Sequence, residues 1–345
     1  MNTENAETGI WYNVDPEKIG REFDDFRKSS YFPEDFRGIL NGIVPSKDRE
    51  IQIIRKNINV DLKKRDGNYA PCNLCHTKAK WLRSGYLILD ELGHLYLIGP
   101  DCGNGHFPDF VVIDHQFDKD TAYNRAYDFL LDEITHIIHM VEYIRQLLPF
   151  AETFESALSK LKKSSTVLDT FRKIVNKQDG NMLVYARRQV IAANGNAVPE
   201  EYLETYGKLS GGNSLNAFGK NSPVSQLYDA IEIFKKFGHN ENTAFTFLAD
   251  TEAKNKDLIA ELASEIRGAN AKVAEAYKTL ETAQIFFSVR NFNVIKGWVE
   301  HPDCPEDFEI EIQQNHRMIW ASNARKHYRI DVQELLKPLP SSPIR

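Results

Sequence analysis

The side chains in this 345-residue chain that could do chemistry together are concentrated in one window, where three of its four cysteines fall between residues 72 and 102. The pattern is Cys72-Asn-Leu-Cys75, then Cys102-Gly-Asn-Gly-His106, a C-x2-C-x26-C-x3-H arrangement. Two short chelate loops of soft donors suit a tetrahedral zinc ion, which binds thiolate and imidazole in this spacing. His106 has the best spacing for the fourth donor, while His76, His94 and Asp101 are close enough in sequence to take its place. Pro71, Gly103 and Gly105 supply the tight backbone that such knuckles need. Four protein donors would close the coordination sphere, so the expected role of one Zn2+ is structural. No general base stands beside the cluster to suggest an open catalytic site.

These donors must be brought together by the chain between them. Residues 81–89 alternate as a strand, 90–93 form a turn and 95–98 return, so a hairpin carries Cys102 back beside Cys75. Knuckle, hairpin and second donor pair resemble the zinc-ribbon and treble-clef class of small zinc modules. The resemblance covers about a tenth of the chain and implies a zinc-ribbon-like module near the N-terminus.

Charge around this window differs from the rest of the molecule. The chain carries a net charge of −6, yet residues 46–85 hold ten Lys and Arg against four Asp and Glu. Lys63, Lys64 and Arg65 precede the first cysteine pair; Lys78, Lys80, Trp81 and Arg83 follow it. Cations that neutralise phosphates beside an aromatic ring that stacks on bases make a nucleic-acid surface, for DNA or RNA and without sequence specificity. The same charge could instead meet an acidic protein surface, which makes the chain a scaffold. No nucleophile elbow, Rossmann fingerprint, H-E-x-x-H or kinase set is present. Residues 209–222 are rich in Gly, Ser and Asn but lack the phosphate-loop spacing. His136 and His139 stand three apart with acids nearby, and without a facing pair they read as a helix surface. An enzyme with a site between the helical body and a C-terminal sheet is the third reading. With no long apolar run and no leader pattern, the expected compartment is cytoplasmic, without a membrane role.

The predicted fold is α+β, predominantly α. Its N-terminal α+β unit spans 1–115, with helices over 16–28 and 33–40, a third helix starting at Ser46 and carrying Ile51, Ile54 and Ile58, and the zinc module at 72–106. A helical bundle or antiparallel coiled coil spans 120–290. One seam is Tyr123, Tyr127, Leu130, Ile134, Ile137, Val141, Ile144 and Leu148, stopped by Pro149. A second, Ile259, Leu262, Ile266, Ala269, Val273, Ala276, Leu280, Ala283 and Phe287, is expected to pair with it antiparallel, or with a second copy in a homodimer. Helices are predicted over 154–175, 181–193, 199–206 and 223–237, with an exposed loop or hinge at 207–222. A small C-terminal β-meander with strands over 292–300, 308–313 and 318–322 completes the unit 291–345.

Overall fold

A computed structural model describes residues 15–75, 80–99, 101–193, 196–322 and 327–343. The chain divides into two compact units, 1–124 and 125–345, and among the described residues helices predominate over small antiparallel sheets. No described helix is long and apolar enough to cross a membrane.

In the first unit, α1 (Pro16–Ser29) starts at Asp15, whose side chain accepts from the Glu17 amide, and buries Ile19 and Phe23. The stretch expected to continue as a helix from Ser46 is instead β1 (Ile51–Ile58). Two register irregularities, between Ile53 and Arg55 and between Arg55 and Ile58, with Asn57 in the left-handed region, interrupt its pairing. They break the two-residue alternation, bury Ile53, Ile54 and Ile58 together, and so imitate helical spacing. Short strands β2 (Ala70–Pro71) and β3 (Lys80–Trp81) pair around the first cysteines. The hairpin of β4 (Gly85–Asp90) and β5 (Leu95–Ile98) forms as expected, and the sheet order is β1-β4-β5. After β5 comes a single turn, α2 (Cys102–His106), and then α3 (Phe110–Lys163).

The second unit takes up α3 and carries it through Pro149, where a stop was expected. Beyond the proline, Phe150, Ala151, Phe154, Ala157 and Leu158 are all buried. A mid-helix proline costs about 3 kcal/mol, and burying several large side chains at roughly 1.5–3 kcal/mol each outweighs it. α4 (Ser165–Lys177) follows, then a long hairpin of β6 (Asn181–Ile191) and β7 (Ala197–Lys208) in place of the two expected helices. Its Val, Tyr and Ile residues favour strands, and the Asn194-Gly195 dipeptide is the missed sequence signal for a hairpin connection. The 207–222 segment is not an exposed hinge: Leu209 and Leu215 are buried. Gly211, at φ 70°, lies so close to the Thr282 carbonyl that a Cβ would not fit.

Helices α5 (Pro223–Phe234), α6 (Glu241–Lys254), α7 (Asp257–Phe287) and α8 (Val289–Val299) complete the body. The α7 seam is fully buried. Its close antiparallel neighbour is α5, tied by Asp229 to Lys272, and the turn after α5 is tied by Lys236 to Glu265, both at 2.7 Å. Along α3 the contacts run the other way: Arg267 lies over Phe129, Asn270 donates to Glu133 and Phe154 meets Phe287. The two long helices are therefore parallel, a correction to the antiparallel pairing. The short helix α5, which the heptad pattern did not single out, is a neighbour of α7. The strand expected at 292–300 is α8, capped by Ser288, with Asn291, Phe292, Ile295 and Trp298 buried at helical spacing. The meander is β8 (Phe308–Ile312), β9 (His316–Ala321) and β10 (Tyr328–Asp331), in the order β10-β9-β8.

Candidate metal centre and its basic surroundings

Cys72 follows β2, Cys75 ends the next turn, and Cys102 opens α2 directly after β5. Their sulfur atoms all lie within 4.8 Å of one another, with Cys75 and Cys102 at 2.8 Å. Chain elements 27 residues apart meet because the β4–β5 hairpin folds back as the spacing required. The Gly99 amide donates to Cys72 Sγ at 3.2 Å. Burial, then the hydrogen bond with Cys75, pushes the Cys102 thiol up. At Cys75 the hydrogen bond from Cys102 pulls down, but burial and the neighbouring Cys72 prevail and raise it. Three thiols this close resist ionising together unless a cation takes the charge. The trio could therefore hold a metal ion, and a bound cation would invert the acidity.

Asn73, absent from the sequence reading, clamps the knuckle. Its Oδ1 accepts from the Leu97 amide at 2.8 Å, its own amide donates to the Leu97 carbonyl, and its Nδ2 donates to the Leu40 carbonyl. One side chain thus fixes the first cysteine loop to β5. Trp81 is 6% exposed; its Nε1 donates to the Pro71 carbonyl and its ring lies against Gly85 and Gly99. A Cβ at Gly85 would enter the ring, so the glycine is required there. Trp81 is part of the core of this unit and not a platform for a base.

His106 lies outside the three-sulfur group; its Nε2 contacts the Pro45 carbonyl at 2.8 Å. His94 contacts the Asp90 carboxylate through Nδ1 at 3.2 Å, and Asp101 is exposed at the start of α2 and also outside the group. His76 and Lys78 lie outside the described residues, as does the Lys80 side chain. Cys304 belongs to the second unit.

Arg65, expected among the phosphate contacts, is only 1% exposed. Its guanidinium pairs with Glu34, donates to the carbonyls of Tyr31, Asn68 and Tyr69, and lies 4.4 Å over the Phe32 ring. It organises the fold and has no face left for a phosphate. Arg55 is held by Asp24, and Lys56 by Asp114 and Asp118. Lys63, Lys64 and Arg83 are exposed. The Lys64 ammonium lies 4.5 Å over the Tyr31 ring, which is 44% exposed, and Tyr69 is 42% exposed. These two tyrosines, bound through their carbonyls to Arg65, are aromatic surface that the sequence reading did not assign.

Two cavities accompany these features. One of about 400 Å³ adjoins the cysteines and is lined by Val44, Pro71, Cys72 and Cys75 with Glu34 and Asn41. The other, about 510 Å³, lies in the second unit between α3 and α7 and includes Asp132, Glu133, His136, Arg267 and Asn270. His136 lines it and His139 is exposed; no three metal-donor atoms converge there among the described residues. Comparison of the chain with protein-family models, with curated proteins and with solved structures finds no match.

Proposed function

We propose that the first unit is a zinc-stabilised module that binds nucleic acid without sequence specificity, and that the helical second unit serves as its spacer or assembly arm. The convergence of three cysteine sulfurs carries the metal part of this reading. His106 is the fourth donor that the C-x3-H spacing offers: donation from Nε2–H to the Pro45 carbonyl leaves Nδ1 with its lone pair, and the ring must close on the sulfurs to complete the tetrahedron. With four protein donors the ion is structural and its binding is coupled to folding. The interface part rests on Lys63 and Lys64 beside the exposed Tyr31 and Tyr69, a cation and aromatic set suited to phosphates and unpaired bases.

Metal analysis of the full chain is expected to give one zinc per molecule, and Cys75→Ser should abolish it. Three phosphate contacts through Lys63, Lys64 and Arg83 would give a slope of log affinity against log salt of about −2 to −3. Lys63→Ala with Lys64→Ala should flatten that slope, while Tyr69→Ala should weaken single-strand binding more than duplex binding. Zinc-loaded protein that retains no DNA or RNA at low salt would reject the nucleic-acid reading and favour an acidic protein partner.

A further inference from the structure

We infer that the β6–β7 hairpin is a self-association arm, and that its occupant is the same arm of a second copy of this chain. The base of the arm is anchored: Met182 and Val184 are buried, Trp298 Nε1 donates to the Leu183 carbonyl at 2.8 Å, and the Tyr185 amide donates to the Asp303 carbonyl at 3.0 Å. From Tyr185 outward to the tip and back to Tyr206, no described residue is buried. A two-stranded ribbon with both faces in water is marginally stable at best. Its cross-strand pairs, Arg187 with Glu201 and Arg188 with Glu200, are exposed and contribute little. Large apolar side chains nevertheless stand on it, with Ile191 81% exposed and Tyr185 and Leu203 about half exposed.

Charge decides the occupant. The arm's three cations, Arg187, Arg188 and Lys208, are balanced by Glu200, Glu201 and Glu204, so it offers a polyanion no net attraction. Edge-to-edge pairing centred on the exposed part of β6 would set Arg188 against its own copy with Arg187 close by, and pairing centred on β7 would set Glu201 against Glu204, both of which are repulsive. Face-to-face packing has neither fault. The register places Tyr185 with Leu203, Arg187 with Glu201, Gln189 with Pro199 and Ile191 with Ala197 on one face, so that apolar rungs at its two ends enclose one neutral Arg–Glu rung and the uncharged Gln189–Pro199 rung. A twofold axis along the strands sets each β6 over the other copy's β7. The tip rungs then bury one another, and each Arg187 meets the second copy's Glu201. Such a patch is self-complementary, which an isologous interface requires.

The test uses the full chain in analytical ultracentrifugation across micromolar concentrations. Wild type should dimerise, and Ile191→Lys, at an exposed position, should weaken association at least tenfold with an unchanged circular dichroism spectrum. Arg187→Glu alone and Glu201→Arg alone should each be monomeric, because like charges then face each other, whereas an equimolar mixture should form the heterodimer. Recovery in the mixture identifies the contact between copies, since each folded variant still lacks its own cross-strand pair. A monomeric wild type, a dimer indifferent to these variants, or variants that lose binding to nucleic acid or lipid vesicles in place of self-association would overturn the proposal.

Discussion

Arg65 and Lys64 are neighbours in sequence and opposites in environment, although both are cations. Arg65 is buried on the inner side of a short 3-10 turn, Leu62–Lys64, which Asp61 caps by accepting from the Lys63 amide at 3.0 Å. That turn directs Lys63 and Lys64 to water and Arg65 inward, so the basic run is two exposed cations and one core cation. Glu34→Gln should therefore be costly, because it leaves a desolvated guanidinium without its counter-charge. The expected loss is about 3–5 kcal/mol by urea denaturation, against roughly 0.5 kcal/mol or less for Lys63→Ala. Equal effects from the two variants would show that the Arg65–Glu34 pair does not hold this turn.

Elements were legible where local pattern and tertiary role agreed. The C-x2-C spacing, the β4–β5 hairpin and the α7 seam declared themselves because alternation, turn residues and heptads each match their final burial. Irregularities that give a strand the spacing of a helix hide β1, and β-branched and aromatic residues hide α8, whose one local helical signal is the cap Ser288. The continuation of α3 past Pro149 could not be read locally, since it depends on burial supplied by distant segments. Within α7 two substitutions test the packing in opposite directions. Ala276 is fully buried, so Ala276→Glu should cost several kcal/mol by placing a charge without a partner in the seam. Gly268 lies in the same helix with open space around its Cα, and Gly268→Ala should stabilise by about 0.5–1 kcal/mol through helix propensity. Thermal melts that do not separate the pair in sign would place the packed face of α7 elsewhere.

At the scale of the whole molecule, all three clustered cysteines lie in the first unit, and the core there includes Cys72 itself with Cys75 and Cys102 packed against it. The second unit builds its core on α3, α5, α7 and α8 with no cysteine of the cluster among its residues. Metal binding that is coupled to folding supplies free energy on the order of 10 kcal/mol, comparable to the whole stability of a domain. Removing the proposed ion should consequently unfold one unit and spare the other. The measurement is amide hydrogen exchange with and without a strong chelator. Leu87 and Leu97, which pair within the hairpin, should lose protection, whereas Ala269 and Val273 in the α7 seam should keep theirs. Loss of protection in both units together would mean that the metal stabilises the chain as one cooperative body. Unchanged protection in the hairpin would mean that its apolar core, with Leu87, Ile88, Leu97 and Ile98 all buried, is sufficient without a metal.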